Sequence, residues 1–111
     1  MSETKRMAIF DCVEGGVTIA LSDIVYIEAF KHKNTIHTVI GEYHIYESMN
    51  SLQSKLCDRG FLRVHRGYIV NKDHVLKINN YIITLTDGIE IPVPKTKYKA
   101  IKDLIMHRER P

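Results

Sequence analysis

Phe61-Leu62-Arg63-Val64-His65-Arg66-Gly67-Tyr68-Ile69-Val70-Asn71 is the stretch that decides the fold. Basic and aromatic residues alternate here with aliphatic ones. Arg63, His65 and Tyr68 interleave with Leu62, Val64 and Ile69, until Arg66-Gly67 breaks the run. Period-two alternation places successive side chains on opposite faces of a strand. The first half therefore predicts a strand with one buried face and one positive face. Gly67 predicts a backbone bend that lifts His65 and Arg66 out of the sheet. A cationic side chain raised on a turn above a rigid strand can reach into a groove.

Strand signals extend on both sides. Upstream, Met7–Val13 and Val17–Leu21 flank the Glu14-Gly15-Gly16 turn as a hairpin. Ile24–Phe30, dense in β-branched and aromatic residues, predicts a central strand. Glu28 within it calls for an edge position or a basic partner. Lys31–Asn34 reads as a polar loop with a free tip. Thr35–Ile40 and Tyr43–Glu47 form the next hairpin, with Tyr43 and Ile45 on one face and His44 and Tyr46 on the other. Ser48 is positioned to cap a helix whose Met49, Leu52 and Leu56 share a face, and Gly60 marks its end. Downstream, His74–Ile78, Tyr81–Thr86 and Ile89–Val93 read as strands separated by Asn79-Asn80 and Asp87-Gly88. Pro92 and Pro94 indicate an edge. Lys95–His107 carries Tyr98, Ile101, Leu104 and Ile105 on one helical face. The pattern predicts a mainly β fold of short antiparallel sheets, about ten strands, with one mid-chain helix and a C-terminal helix.

The length of 111 residues suits one domain over residues 1–111, with its core at about 7–106. No apolar run approaches a membrane span and no export signal is evident, so the expected location is cytoplasmic, with no membrane partner. Cys12 and Cys57 are far apart and lack metal-ligand spacing, which predicts free, reduced thiols. Cys57 beside Leu56 reads as a buried helix residue rather than a redox handle. The net charge of +3 is unevenly spread. Residues 1–59 hold six Lys/Arg against eight Asp/Glu, a balance of −2, whereas residues 60–111 hold ten against five, a balance of +5. Such asymmetry suits an anionic partner, nucleic acid or a membrane surface, although a solvated basic face gives the same count.

Catalytic signatures are missing. There is no nucleophile elbow, phosphate-cradling glycine loop or two-histidine zinc helix. The reading is therefore no enzyme and no cofactor. Six histidines, His32, His37, His44, His65, His74 and His107, show no zinc-ligand spacing. His37 and His44 can meet across a hairpin, but half-exposed strand positions explain them better than a metal site. Three cationic tips remain: Lys31–Asn34, Arg63–Arg66 and Lys95–Lys99. Arg66 is the best candidate for reading a base, because a guanidinium can donate two hydrogen bonds to guanine. Asn34 can read adenine or cap its own turn. Arg63 suits either a phosphate contact or an ion pair with Glu28 or Glu47. Lysines at the start of the last helix oppose its dipole, which makes better sense beside a phosphate.

The central stretch closely resembles the F-x-R-x-H-R-S-[YF]-x-V-N signature of the LytTR DNA-binding domain. Ile24-Val25-Tyr26-Ile27-Glu28-Ala29 resembles that family's I-x-Y-I-E-A strand. Ser51-Leu52 falls where its sL helix lies. Gly88-Ile89-Glu90-Ile91-Pro92-Val93-Pro94-Lys95 resembles its G-x-x-[IL]-P-V-S-R segment. Gly67 replaces the usual serine, and Pro94-Lys95 replaces Ser-Arg. The resemblance implies a bacterial transcription regulator that binds double-stranded DNA with loops in successive major grooves, often as two copies on direct repeats. A homodimer on DNA is implied with it. Carried across by position, the DNA-binding set is Lys31, Lys33 and Asn34, with Asn34 at the tip; Arg63, His65 and Arg66; and Lys95, Thr96 and Lys97. Family members usually carry an N-terminal receiver domain for two-component signalling. No acidic pocket or α/β repeat precedes Met7, so the expectation is an output domain, either cut out or standing alone. The competing expectation is a protein-interaction module that uses a sheet edge or the Tyr98/Ile101/Leu104 face.

Overall fold

Every second residue from Ala8 to Cys12 is buried, and this alternation sets the first strand of a large antiparallel sheet. The computed structural model describes residues 6–107. The elements in chain order are β1 (Met7–Cys12), β2 (Gly15–Ala20), β3 (Ile24–Phe30), β4 (Lys33–Thr38), β5 (Glu42–Ile45), α1 (Met49–Leu56), β6 (Phe61–His65), β7 (Tyr68–Asn71), β8 (Val75–Asn79), β9 (Ile82–Leu85), β10 (Glu90–Pro92) and α2 (Lys95–Met106). Seven strands form one sheet in the order β2-β1-β5-β4-β3-β7-β6, and three form a second in the order β10-β9-β8. The mainly β fold of ten strands and two helices is thus the one the alternation predicts. β3 lies inside the large sheet, and β10, with Pro92, is an edge, as expected.

The large sheet is buried on both faces at its β3-β7-β6 end. Ile69 and Val70 are neighbours in β7, so they face opposite ways, and both are fully buried. Ile69 joins Phe10, Ile27, Ile36, Phe61 and the Met49, Leu52 and Leu56 face of α1 in one core. Val70 joins Val25, Tyr26 and Val64 with Ile83, Leu85 and Ile91 of the small sheet and Ile101 and Ile105 of α2 in a second. A register shift between Ile24 and Tyr26 explains why two consecutive residues, Val25 and Tyr26, both serve the second core. Burial of the Tyr26 hydroxyl, with the Glu28 carboxylate nearby, pushes its pKa up to about 12.

Local chemistry fixes the corners. The Ser48 hydroxyl accepts from the Ser51 amide at 3.1 Å and starts α1 as its sequence predicts. α1 ends at Leu56, and Gly60, with φ of 93°, follows in the turn leading to β6. Asn71 is 2% exposed; its amide donates to the Leu21 and Ile24 carbonyls at 3.1 and 2.9 Å, and its oxygen accepts from the Asp73 amide at 3.0 Å. One buried side chain therefore satisfies backbone groups from two corners of the fold. His74 ties the small sheet to the large one. Its Nε2 donates to the Ser22 carbonyl at 2.8 Å, and its Nδ1 meets the Thr86 hydroxyl at 2.7 Å.

Two details depart from the sequence pattern. Leu104, assigned to the buried face of α2, is 51% exposed, while Ile101 and Ile105 are buried. At 100° per residue Leu104 lies on the margin of a stripe that Ile101 and Ile105 already fill. β6 keeps the expected buried face of Leu62 and Val64, but its opposite, cationic face is not all solvent. Phe61 enters the first core and Leu62 and Val64 the second, so Arg63 shares its face with α1.

Candidate nucleic-acid interface

The central stretch folds as a hairpin, β6–β7, with Arg66-Gly67 at its turn. A register shift between Arg63 and His65 distorts the ladder just before it. Arg63 braces this turn. Its Nη1 donates to Asn50 Oδ1 at 2.7 Å and to Gln53 Oε1 at 3.0 Å on α1, and its Nη2 donates to the Arg66 carbonyl at 2.7 Å. Neither anticipated acid holds it: Glu28 Oε1 lies 3.0 Å from His37 Nε2, and Glu47 is paired with Lys55 Nζ at 3.0 Å. Arg63 thus braces the turn from the α1 side.

His65 braces the same turn from within. Its Nδ1 accepts from the Gly67 amide at 3.1 Å, which leaves Nε2 to carry the ring proton. The ring meets Tyr68 edge-on at 5.7 Å. A third brace comes from β3, whose Ala29 amide donates to the Gly67 carbonyl at 2.9 Å. Gly67 itself does not use a left-handed backbone. A Cβ there would stand 3.4 Å from the Ala29 carbonyl oxygen, an ordinary contact. The bend therefore does not depend on glycine, and a serine fits. Arg66 projects from this turn, exposed, with its guanidinium unpartnered among the described residues.

The second tip is tighter than a four-residue loop. Phe30 pairs with Lys33, so Lys31 and His32 alone make the β3–β4 turn, with φ of 51° and 65°. A two-residue hairpin turn of this hand usually calls for Asn-Gly, and non-glycine residues there are strained. Lys31 Nζ lies 5.4 Å from the centre of the Phe30 ring. Lys33 is exposed at the first position of β4. Asn34 is not at the tip: it pairs with Ala29 inside the hairpin, and its Nδ2 donates to the Glu47 carbonyl at 2.7 Å. His32 occupies the place given to Asn34. Only the hairpin register could have revealed it, because Lys-His carries no turn signal of its own.

The third region opens α2. Lys95, Thr96 and Lys97 are exposed; Pro94 precedes them and supplies no side-chain cap. The first turn carries no acid and no side-chain cap, and its Lys97 amide donates to the Pro94 carbonyl at 3.0 Å. Lys95 Nζ lies 5.7 Å from the centre of the Tyr81 ring, and Tyr81 packs on Tyr98 at 4.6 Å. Tyr81 belongs to the β8–β9 turn, where Asn80 and Tyr81 have φ of 52° and 64°. Two of the three cationic regions thus adjoin a turn of two left-handed, non-glycine residues. The β3–β4 and β6–β7 turns share one end of the large sheet, since both hairpins meet at the Ala29–Gly67 bond.

The remaining candidates are engaged elsewhere. The His37 ring stacks on Tyr26 at 4.2 Å while binding Glu28, and His44 Nδ1 lies 3.3 Å from Glu14 Oε2. No group of three metal-ligating side chains occurs among the described residues. Cys12 and Cys57 are both free. Burial pushes the Cys57 thiol up from its ordinary pKa, away from a reactive thiolate. No helix among the described residues is long and apolar enough to cross a membrane.

Ten antiparallel strands in two sheets with two helices, bearing exposed cationic residues at two hairpin turns and in the first turn of α2, define a small mainly β domain class. Residues 14–106 match the family described as LytTr DNA-binding domain, and the chain belongs to that family. The sensory transduction protein LytT of Bacillus anthracis is 32% identical over 97 residues, covering 83% of this chain and 39% of that protein. LytT of Bacillus subtilis is 29% identical over 97 residues, with 83% and 40% covered. The transcriptional regulatory protein LytR of Staphylococcus aureus is 29% identical over 85 residues, with 72% and 35% covered. The chain therefore spans well under half the length of these relatives. Among solved structures, the LytTr DNA-binding domain of a putative methyl-accepting/DNA response regulator from Bacillus cereus superposes with a TM-score of 0.75 at 20% identity. That match covers 94% of this chain and 99% of the other, and it supports the same fold.

Proposed function

We propose that this DNA-binding domain reads duplex DNA with three cationic regions laid along successive major grooves, and so regulates transcription in a bacterium. Arg66, supported by His65, is the base reader; Lys31, His32 and Lys33 form one flanking contact, and Lys95, Thr96 and Lys97 the other. The observation that carries this is the Arg66 guanidinium, unpartnered among the described residues on a turn braced by Arg63, His65 and Ala29. A turn whose backbone is held before binding gives up little backbone entropy on contact. Arg63 acts in this scheme as a positioning residue, because three of its hydrogen bonds are made within the protein. Asn34 serves the hairpin for the same reason.

Two relatives carry the names sensory transduction protein and transcriptional regulatory protein, and the matching solved domain comes from a putative response regulator; in keeping with them, we read the chain as the output part of a cytoplasmic two-component regulator, two copies meeting on direct repeats. The alternative of a protein-interaction module loses one of its supports, since Ile101 is buried and Tyr98 packs on Tyr81. A gel-shift with duplex DNA at low and moderate salt tests the reading. Retardation that weakens steeply with salt is expected from several lysine and arginine contacts to phosphate. Absence of any shift at low salt would remove DNA from the proposal.

A further inference from the structure

An unexplained aromatic residue stands inside the cationic end of the large sheet. Phe30 is the last residue of β3 and is 64% exposed. It is not a loose surface side chain. Its backbone is paired with Lys33, the residue before it bonds the Gly67 carbonyl, and Lys31 Nζ sits 5.4 Å from the centre of its ring. The phenyl is therefore held at the base of the Lys31–His32 turn, on the strand that also anchors the Arg66 turn. A large apolar ring left in water between cationic tips forgoes the stabilisation that burial gives such a side chain. Neither core of this protein takes it up.

The surrounding charge decides what can. Lys31, Lys33 and Arg66 would repel a cationic partner surface and attract a polyanion. Within a DNA major groove the one apolar feature on a base edge is the thymine methyl, and phenylalanine is among the side chains that contact it. We infer that Phe30 is a specificity-determining residue, which packs on a thymine 5-methyl group beside the site read by the β3–β4 turn. The inference rests on the DNA-reading role proposed above and adds a base preference that the cationic residues alone do not supply.

Deoxyuridine supplies the test, because it differs from thymidine only by that methyl. Duplexes are selected by the protein from a random pool, and in the tightest one each thymine is replaced singly by deoxyuridine. At one thymine, affinity is expected to fall about fourfold, the factor that corresponds to uncovering one methyl group. Phe30→Ala is expected to bind the thymine and deoxyuridine duplexes equally, at about the level of wild type on deoxyuridine. Phe30→Leu, which keeps an apolar contact, should restore part of the difference. Failure to enrich any duplex would overturn the DNA-reading role itself. Enrichment without any thymine dependence, or thymine dependence that survives in Phe30→Ala, overturns the Phe30 inference and leaves that role standing.

Discussion

The two hairpin turns at the shared end of the large sheet are built in opposite ways. The β6–β7 turn is relaxed in its backbone and held by three hydrogen bonds: Arg63, itself tied to α1, donates to the Arg66 carbonyl, His65 accepts from the Gly67 amide, and the Ala29 amide donates to the Gly67 carbonyl. The β3–β4 turn is strained in its backbone, with Lys31 and His32 both left-handed, and its only described side-chain contact is Lys31 over Phe30. One turn is fixed by its surroundings and the other by the register of its own strands. Strain of this kind, of order 1–3 kcal/mol per residue, persists only where something else over-determines it, and it gathers at functional sites. On the DNA-reading role proposed above, the Arg66 turn supplies precision and the Lys31–His32 turn close approach.

Four substitutions can break or sharpen that contrast. The largest effect belongs to the tip of the braced turn. Arg66→Ala should weaken cognate binding by about 1–3 kcal/mol and relax base preference, as for loss of a bidentate reader. Equal weakening on random and cognate duplexes, in paired titrations, would contradict base reading. Next comes the brace. Arg63→Ala should weaken cognate binding by about 1–2 kcal/mol, the scale of charge-assisted hydrogen bonds lost from a turn, while leaving the salt slope unchanged. A drop in the slope by about one unit would instead make Arg63 a phosphate contact. On the strained side, His32→Gly should raise unfolding stability by about 1 kcal/mol, since glycine adopts φ of this sign without penalty. Lowered stability in thermal unfolding would show that the turn is not strained. The smallest change is Gly67→Ser, expected to shift stability by no more than about 0.5 kcal/mol because its Cβ meets only an ordinary contact. Greater destabilisation would mean that the turn needs glycine after all.

Much of this was legible in the residues. Alternation from Ala8 to Cys12 and the Met49, Leu52 and Leu56 spacing located strand and helix, because burial imposes those periods directly. The Ser48 cap was legible for the same local reason. Partners of long side chains were not. Arg63 reaches Asn50 and Gln53, thirteen and ten residues away, and nothing in Phe61–Asn71 announces α1 as its neighbour. Asn34 and His32 exchanged places because hairpin register is set by strand pairing across β3 and β4, whereas sequence marks only turns rich in glycine and asparagine. The twofold burial of β6 was concealed by its cationic residues, which look like a solvent face until the second sheet is in view.

The Ala29–Gly67 hydrogen bond also acts as a ruler. It welds two neighbouring hairpins into one sheet, where strands are spaced about 4.8 Å, so the tips stand on the order of 10 Å apart. One turn of B-DNA advances about 34 Å. On a duplex bound as proposed, these two tips together cover only a fraction of a helical repeat, whatever the sequence. In the proposed reading, the stride to the next major groove falls to Lys95–Lys97 at the start of α2, the helix whose Ile101 and Ile105 sit in the second core.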